Sequence, residues 1–391
     1  MQSINMNTLW ITAEQALALL GTKSQTLYAN VSRGRIRAKP DPADPRRSLY
    51  QADDVKRLAE RHAGRRQSAA VAAEAIRWGD PVLPTSISTI SDGKLFYRGR
   101  DAVELAGHAT LEEIAALLWD AGEVRVGVAE EGNGGVSRMA AALMGLAARV
   151  TTDLPALGRS TAVLKSEAAG VLSTVAAGLA PWSGDPLPLH QRLASGWQRP
   201  EAAEPIRKAL VLAAEHELNV SAFAARVTAS SGAALSAATL SGLAALTGPR
   251  HGGAWLSVTR LTEQAASLGV REAIRATLSS EGAVRAFGHR LYPQGDPRAR
   301  ALMASFDAPA IYGSLAEAGE ELLGEPANID FALATLAATF TLPEEAPLVI
   351  FALSRTTGWL AHAMEQIEGG HLIRPRARYT QTTGLSGASD L

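Results

Sequence analysis

The chain of 391 residues contains no cysteine. Disulfides, thiolate metal sites and a cysteine nucleophile are therefore excluded, and a reducing compartment such as the cytoplasm is the expected setting. No basic N-terminal segment leads into an apolar run, and every apolar stretch is interrupted before the roughly 20 residues that a membrane span requires, so neither secretion nor membrane insertion is expected. There is no Gly-rich phosphate-cradling loop, which argues against nucleotide-driven chemistry. No internal repeat is found. What is present is 47% hydrophobic residues, enough to bury one large core with a smaller domain beside it.

The net charge of -1 conceals an asymmetry: residues 1–66 hold 12 Lys/Arg against 6 Asp/Glu, so the remainder is acidic. A short basic segment on an acidic body suggests two domains with different partners. Thr12-Ala-Glu-Gln15 reads as a capping box, so a helix is expected through Leu20, ended by Gly21. Thr22-Lys-Ser-Gln25 repeats the pattern ahead of a second helix, whose Leu27 and Val31 share an inner face. After Gly34-Arg-Ile-Arg-Ala-Lys39 a Pro/Asp/Arg loop leads to Ser48-Leu-Tyr50 and a third helical stretch over Asp53–Leu58. Residues 1–66 resemble the excisionase and MerR-like winged helix-turn-helix domains. That resemblance implies DNA as a partner: Lys23, Ser24, Gln25, Tyr28 and Asn30 face bases or phosphates, and Arg33, Arg35, Arg37, Lys39, Arg46 and Arg47 neutralise phosphates. The alternative is a small helical domain whose charges form a solvated face.

Residues 67–84 are expected as a linker, helical over 63–80 and stopped by Pro81 and Pro84. Thr85–Gly99 alternates apolar and polar residues and suits a hairpin. From Asp101 onward helices dominate: Val220, Phe223 and Val227 form one core stripe and Leu360, Met364 and Ile367 another. Ser236–Leu246 is weakly polar all round, as in a helix buried among helices. Breaks are expected at 180–188 and around Pro249, Pro297 and Pro326. The last residues, 380–391, are Gly/Ser/Thr-rich and expected to be flexible.

Three patches carry chemistry: Gly248-Pro-Arg-His251-Gly-Gly-Ala, Phe287-Gly-His289-Arg-Leu-Tyr-Pro-Gln-Gly-Asp-Pro-Arg298, and Asn328-Ile-Asp330-Phe. With Glu215-His216-Glu-Leu-Asn219 upstream and Ser354-Arg355 and Ile373-Arg374-Pro375 downstream, their order and spacing resemble the citrate synthase family over residues 80–380. Both catalytic-patch histidines sit in Gly-bearing turns, where backbone approaches a ligand closely. Taken alone, Asp330 also suits a helix N-terminal acid, and Arg298 a surface ion pair. The histidines at 62, 108, 190, 362 and 371 read as buried ones with backbone partners, or as exposed.

The resemblance implies an all-α fold, with a catalytic domain over 85–391 and a small subdomain at about 250–350. It also implies a metal-free condensation of acetyl-CoA with oxaloacetate, without a permanently bound cofactor. Asp330 would be the base, His251 the donor to the thioester oxygen and His289 the donor to the ketone. Arg298, Arg355 and Arg374 would clamp oxaloacetate, Arg374 reaching across a homodimer, with His216 as a further contact. Asn219, one helical turn beyond His216, would orient it or touch substrate. The chain departs from the family at Arg250 and Trp255 beside the thioester pocket. It departs again at Ala286, where a methyl group strains a positive φ, and at Pro293, in place of a basic residue that holds CoA phosphates. Arg285 or Arg290 would take over that last role. Two other readings stay open: a 2-methylcitrate synthase using propionyl-CoA, and a DNA-binding regulator with a ligand-sensing core.

Overall fold

The structure, a computed structural model, describes residues 10–20, 24–32, 36–42, 44–56, 83–128, 135–182 and 184–377. Met1–Pro84 and Thr85–Leu391 form two compact units. The linker helix expected over 63–80, His62, the tail 380–391 and the residues Lys23, Arg33 and Arg35 lie outside the described residues.

In the first unit β1 (Trp10–Thr12) runs into α1 (Ala13–Leu20), then come α2 (Ser24–Ser32), β2 (Ala38–Asp41), β3 (Asp44–Gln51) and a helical stretch over 52–56. The capping box forms: Thr12 N donates to Gln15 Oε1 (3.0 Å) and Gln15 N to Thr12 Oγ1 (3.3 Å). Leu27 is buried and Val31 packs on the same small core with Ile11, Ala16, Leu20, Tyr50 and Val55. The segment expected as a loop after Lys39 is instead mostly part of an antiparallel hairpin, Ala38 opposite Tyr50 and Pro40 opposite Ser48, in a sheet of order β1-β3-β2. Pro40 is accommodated because β2 is an edge strand, where a missing N–H costs no ladder bond.

Of the expected DNA contacts, Asn30 is corrected here, and Arg37 gains an internal partner while its side chain stays 66% exposed. Arg37 is bound to buried Asp54 through its backbone N (3.1 Å), Nε (2.8 Å) and Nη2 (3.1 Å), so its guanidinium braces the hairpin. Asn30 is buried and donates to Thr26 O (2.9 Å). Ser24, Gln25, Tyr28, Lys39, Arg46 and Arg47 are exposed.

The second unit opens with the expected hairpin, β4 (Ser88–Ser91) and β5 (Lys94–Tyr97), joined through Asp92 (φ 51°) and Gly93 (φ 72°). Two positive φ values in succession match the twist of the flanking strands, which is why Asp-Gly serves here. With β6 (Arg100–Asp101) this makes a second three-stranded sheet, so the all-α expectation holds only for the bulk of the chain. The helices that follow are α3 (Ala102–Leu105), α4 (Leu111–Trp119), α5 (Arg138–Val150), α6 (Thr161–Leu179), α7 (Leu189–Gly196) and α8 (Ala203–Ala213). They continue as α9 (Val220–Ser230), α10 (Leu235–Leu246), α11 (Trp255–Leu268), α12 (Val270–Glu281) and α13 (Pro297–Met303), ending with α14 (Ala310–Leu323), α15 (Ile329–Thr339) and α16 (Ala346–Gly369). Of the described helices only α6 is long and apolar enough to cross a membrane, and it packs on α5, α10 and α16.

The 24-residue α16 is the axis of the larger core, buried along nearly its whole length by α4, α6, α8, α9 and α10. Its Leu360 and Met364 are buried and Ile367 packs against them, as their spacing requires. At Gly242 in α10 a Cβ would lie 2.7 Å from the Trp359 ring, so glycine permits the close α10–α16 approach. A smaller core joins α11, α12, α14 and part of α15 through Val258, Leu261, Ile274, Tyr312, Leu315 and Phe331.

The stripe Val220, Phe223 and Val227 does not face the core. Val220 is 67% and Val227 39% exposed, and α9 buries instead its small face, Ser221, Ala222, Ala225 and Ala229, with Arg226. Close packing against α10 and α16 favours alanine over valine on that face, so the apolar spacing pointed the wrong way.

Candidate active site

Between α8 and α9 lies an irregular loop, 214–219, that the hairpin straps down. The buried Tyr97 hydroxyl donates to Val211 O (3.0 Å) and accepts from Glu215 N (3.3 Å), Ser88 Oγ accepts from Glu217 N (3.1 Å), and Ile90 N donates to Glu217 Oε1 (2.8 Å). Glu217 is held at φ 50°, a conformation that non-glycine residues seldom adopt. The loop presents His216, whose Nε2 lies 3.0 Å from the Tyr292 hydroxyl. Burial, with the charge of Arg298 beside it, drives the His216 pKa well down, so the ring is neutral.

Asn219 is not a helical turn from His216; it is the N-cap of α9. Its Oδ1 accepts from Ser221 N and Ala222 N (both 3.1 Å) and from Ser221 Oγ (2.7 Å). Ser221 Oγ also lies 2.7 Å from His251 Nε2 and accepts from Trp359 Nε1 (3.0 Å). The hydroxyl has one hydrogen for two acceptors. When it goes to His251, the ring proton sits on Nδ1, the tautomer able to donate to a ligand. Burial, then the charge of Arg355, brings His251 to a pKa of about 4. Ser221→Ala is expected to lower turnover by about 10- to 100-fold with little change in substrate KM, since it loosens one donor at His251 and leaves the other site groups in place. Steady-state kinetics checks this, and unchanged turnover would free His251 from dependence on Ser221.

His289 sits on the turn ahead of α13, where Leu291 N donates to its Nδ1 (3.2 Å). In the neutral ring the proton is then on Nε2. Its pKa is also brought to about 4, by burial and then by Arg298. The His289 ring lies 5.0 Å from those of both His216 and Tyr292. Asn328 ties this turn to Asp330. Its Nδ2 donates to Arg285 O (2.8 Å) and Gly288 O (3.2 Å), while its Oδ1 caps α15 by accepting from Asp330 N (3.1 Å) and Phe331 N (3.3 Å). Gly288, at φ 72°, has no room for a Cβ against the Glu325 carboxylate.

Asp330 occupies the first turn of α15, half-buried. Burial raises its pKa to about 6, against the pull of Arg298 in the opposite direction. Arg298 is 2% exposed and paired with Asp296 through Nε (2.9 Å) and Nη2 (2.8 Å), so the surface ion pair considered for it is in fact a buried one. Asp296 Oδ2 also accepts from Ile329 N (3.1 Å), which joins the pair to α15.

Arg355, 1% exposed on α16, donates from Nε to Ala213 O (2.9 Å), and its guanidinium lies over the Phe351 ring (4.6 Å), which in turn meets the His251 ring edge-on (5.9 Å). Burial lowers its pKa to about 10, so it stays cationic at neutral pH. The structure thus gathers His216, His251, His289, Asp330, Arg298 and Arg355, each within electrostatic reach of one or both arginines. Arg374 is not among them. It is exposed in the stretch 371–377 after α16 and makes no hydrogen bond or ion pair among the described residues. Arg285 and Arg290 are exposed on the His289 turn. A carboxylate base near neutrality, two neutral imidazole donors and two buried guanidinium groups suit proton abstraction next to a carbonyl in the presence of an anionic partner.

A model of the citrate synthase C-terminal domain matches residues 77–173 and 167–376. Citrate synthase 2 of Bacillus subtilis (strain 168) is 30% identical over 344 residues, which are 76% of this chain and 92% of that protein. The chain belongs to the citrate synthase family. It is accordingly a transferase of the citrate synthase type. The crystal structure of citrate synthase from Thermotoga maritima MSB8 superposes with a TM-score of 0.64 at 25% identity, over 80% of this chain and 96% of that one. The ternary complex of carboxymethyl coenzyme A and oxaloacetate with citrate synthase from Thermoplasma acidophilum shares the fold, with a TM-score of 0.66 at 22% identity over 79% and 96%.

Within this citrate synthase frame the departures take physical form. Ala286 is buried and its φ is not positive, so the strain expected there is absent; the left-handed position is Gly288. Pro293 and Arg250 are exposed, and Trp255 is buried at the start of α11. Sequence reasoning missed Ser221, Tyr292, Asp296, Asn328 and Trp359 as supports of the site. Tyr292, Asp296 and Asn328 stood within quoted patches, so position offered a signal; Trp359 had none. His362 is buried as read, but against the Glu215 carboxylate (3.0 Å), not a backbone group. His108 and His371 are exposed and His190 is buried.

Proposed function

We propose that the chain condenses acetyl-CoA with oxaloacetate to give citrate and CoA. The arrangement that carries this reading is a helix-end carboxylate, Asp330, whose pKa burial raises to about 6, together with the neutral imidazoles of His251 and His289 and the buried guanidinium groups of Arg298 and Arg355. Asp330 takes a proton from the thioester methyl group while His251 donates to the thioester oxygen, so full enolate charge never accumulates. The carbon attacks the ketone of oxaloacetate, His289 Nε2–H supplies the proton to the forming alkoxide, and water then cleaves the thioester to release CoA. Arg298, Arg355 and His216 hold the two carboxylates of oxaloacetate. Arg285 and Arg290 take the CoA phosphates.

A homodimer completes the clamp, with Arg374 of each copy serving the other. Exposed apolar side chains on α5, α6, α9 and the α5–α6 connection, Met144 (62%), Val163, Val220, Leu154 (66%) and Leu157, support such an interface. Thiol release by purified protein given oxaloacetate with acetyl-CoA tests the reading. No release at saturating acyl-CoA would overturn it, and faster release with propionyl-CoA would make the enzyme a 2-methylcitrate synthase.

The first unit supports a second activity. Exposed Ser24, Gln25 and Tyr28 on α2 beside Lys39, Arg46 and Arg47 on the β2–β3 hairpin match a winged helix-turn-helix that inserts α2 into a major groove. Duplex DNA binding is expected to weaken steeply with salt, and no binding at low salt would reduce the unit to a structural appendage.

A further inference from the structure

The two buried arginines are neutralised in different ways. Asp296 grips Arg298 through two hydrogen bonds, whereas no carboxylate hydrogen-bonds Arg355 among the described residues. The charge that most offsets the burial of Arg355 is Glu215, two residues beyond the carbonyl that holds its Nε. Glu215 is fully buried. Its Oε1 accepts from Ser88 Oγ (3.1 Å) and His362 Nε2 (3.0 Å), and its Oε2 has no hydrogen-bond partner. Gly358, three residues after Arg355 on α16, leaves just enough room for this carboxylate, since a Cβ there would collide with Oε2.

His362 is itself held from its other side. Arg226 Nη1 faces its Nδ1 (3.5 Å) and also pairs with Glu365 (2.9 Å), an arrangement that a neutral ring with its proton on Nε2 satisfies. Glu215 therefore spends its hydrogen bonds on the scaffold and directs only its field at the clamp.

We infer that Glu215 is a charge-setting residue of the anion clamp. It lowers the field of Arg355 without occupying the nitrogens that bind ligand, so that the site holds a dicarboxylate without gripping a tricarboxylate. The identity of the two anions rests on the synthase reading, in which the product carries one carboxylate more than the keto acid. A clamp with Arg355 uncancelled would favour the more highly charged species and slow its release.

The test is calorimetric binding of oxaloacetate and of citrate to the full chain, with Glu215→Gln and Glu215→Asp beside the unaltered protein and CoA release followed in parallel. Glu215→Gln is expected to bind oxaloacetate about 3- to 10-fold tighter and citrate by a larger factor, because the lost negative charge had opposed both anions and the more highly charged one more strongly. Glu215→Asp, which keeps the charge, should stay within about twofold, whereas a merely structural residue would be upset by either change. Equal or weaker oxaloacetate binding by folded Glu215→Gln overturns the inference. If circular dichroism finds that variant unfolded, Glu215→Met, uncharged and of similar length, decides in its place. Tighter binding without CoA release from any protein would sink the synthase reading and leave this one standing, and failure of the unaltered chain to bind either anion would sink both.

Discussion

Asp330→Asn is expected to lower condensation by about 10²–10⁴-fold while oxaloacetate affinity changes little, because the base is lost and the arginine clamp is untouched. In the unaltered enzyme, kcat/KM should fall with a slope of one below about pH 6, where Asp330 takes up its proton. His251 and His289, with pKa values of about 4, are already neutral there and contribute no second limb above that pH. Stability runs the other way. A carboxyl group whose folded pKa is raised contributes stability that is fully present below its unfolded value of 3.8 and is lost as pH rises through about 6. Asp330 thus costs up to roughly 3 kcal/mol at pH 8, so the asparagine variant should melt higher there than the unaltered chain. The depressed histidines have the opposite sign: their contribution is present above about 6.5 and is lost as pH falls toward 4. Normal turnover by the asparagine variant would remove Asp330 from the role of base.

The second large effect concerns Arg298. Arg298→Ala leaves Asp296 buried and unpaired and is expected to destabilise the chain by about 3–5 kcal/mol, besides abolishing oxaloacetate binding. Adding Asp296→Asn should restore most of the stability, because the uncompensated charge is gone, and none of the binding. Denaturant melts of the two single variants and the double variant, with calorimetry for oxaloacetate, check both halves. Equal destabilisation by the single and double variants would mean that the ion pair contributes through shape alone.

The groups assigned to the proposed reaction were picked out because His251, His289 and Asp330 each lie in a short patch of Gly, His, Asp or Arg whose spacing is unusual. Their supports were not, for a physical reason. Trp359 Nε1 meets Ser221 Oγ across 138 positions of sequence, and nothing local in either segment marks the contact. Periodicity was read correctly for Leu360, Met364 and Ile367 but inverted for Val220, Phe223 and Val227. Spacing says that a helix has an apolar face, not which way that face points. The β2 strand was hidden by Pro40 and Asp41, residues that an edge strand tolerates and a central one does not. The loop at 214–219 escaped because Glu217 adopts a left-handed conformation that no composition rule predicts.

One helix face has a consequence for how this protein can change over generations. Phe351, Arg355, Gly358 and His362 fall at intervals of four, three and four on α16, so the edge-on partner of His251, a buried guanidinium, the gap for Glu215 and the brace of that carboxylate share one rotational phase. Inserting or deleting a single codon upstream within α16 would turn that stripe by about 100° and displace all four at once. Point substitutions can test these positions one by one, but length changes inside this helix are closed to the lineage, and insertions should accumulate in the connections between helices instead.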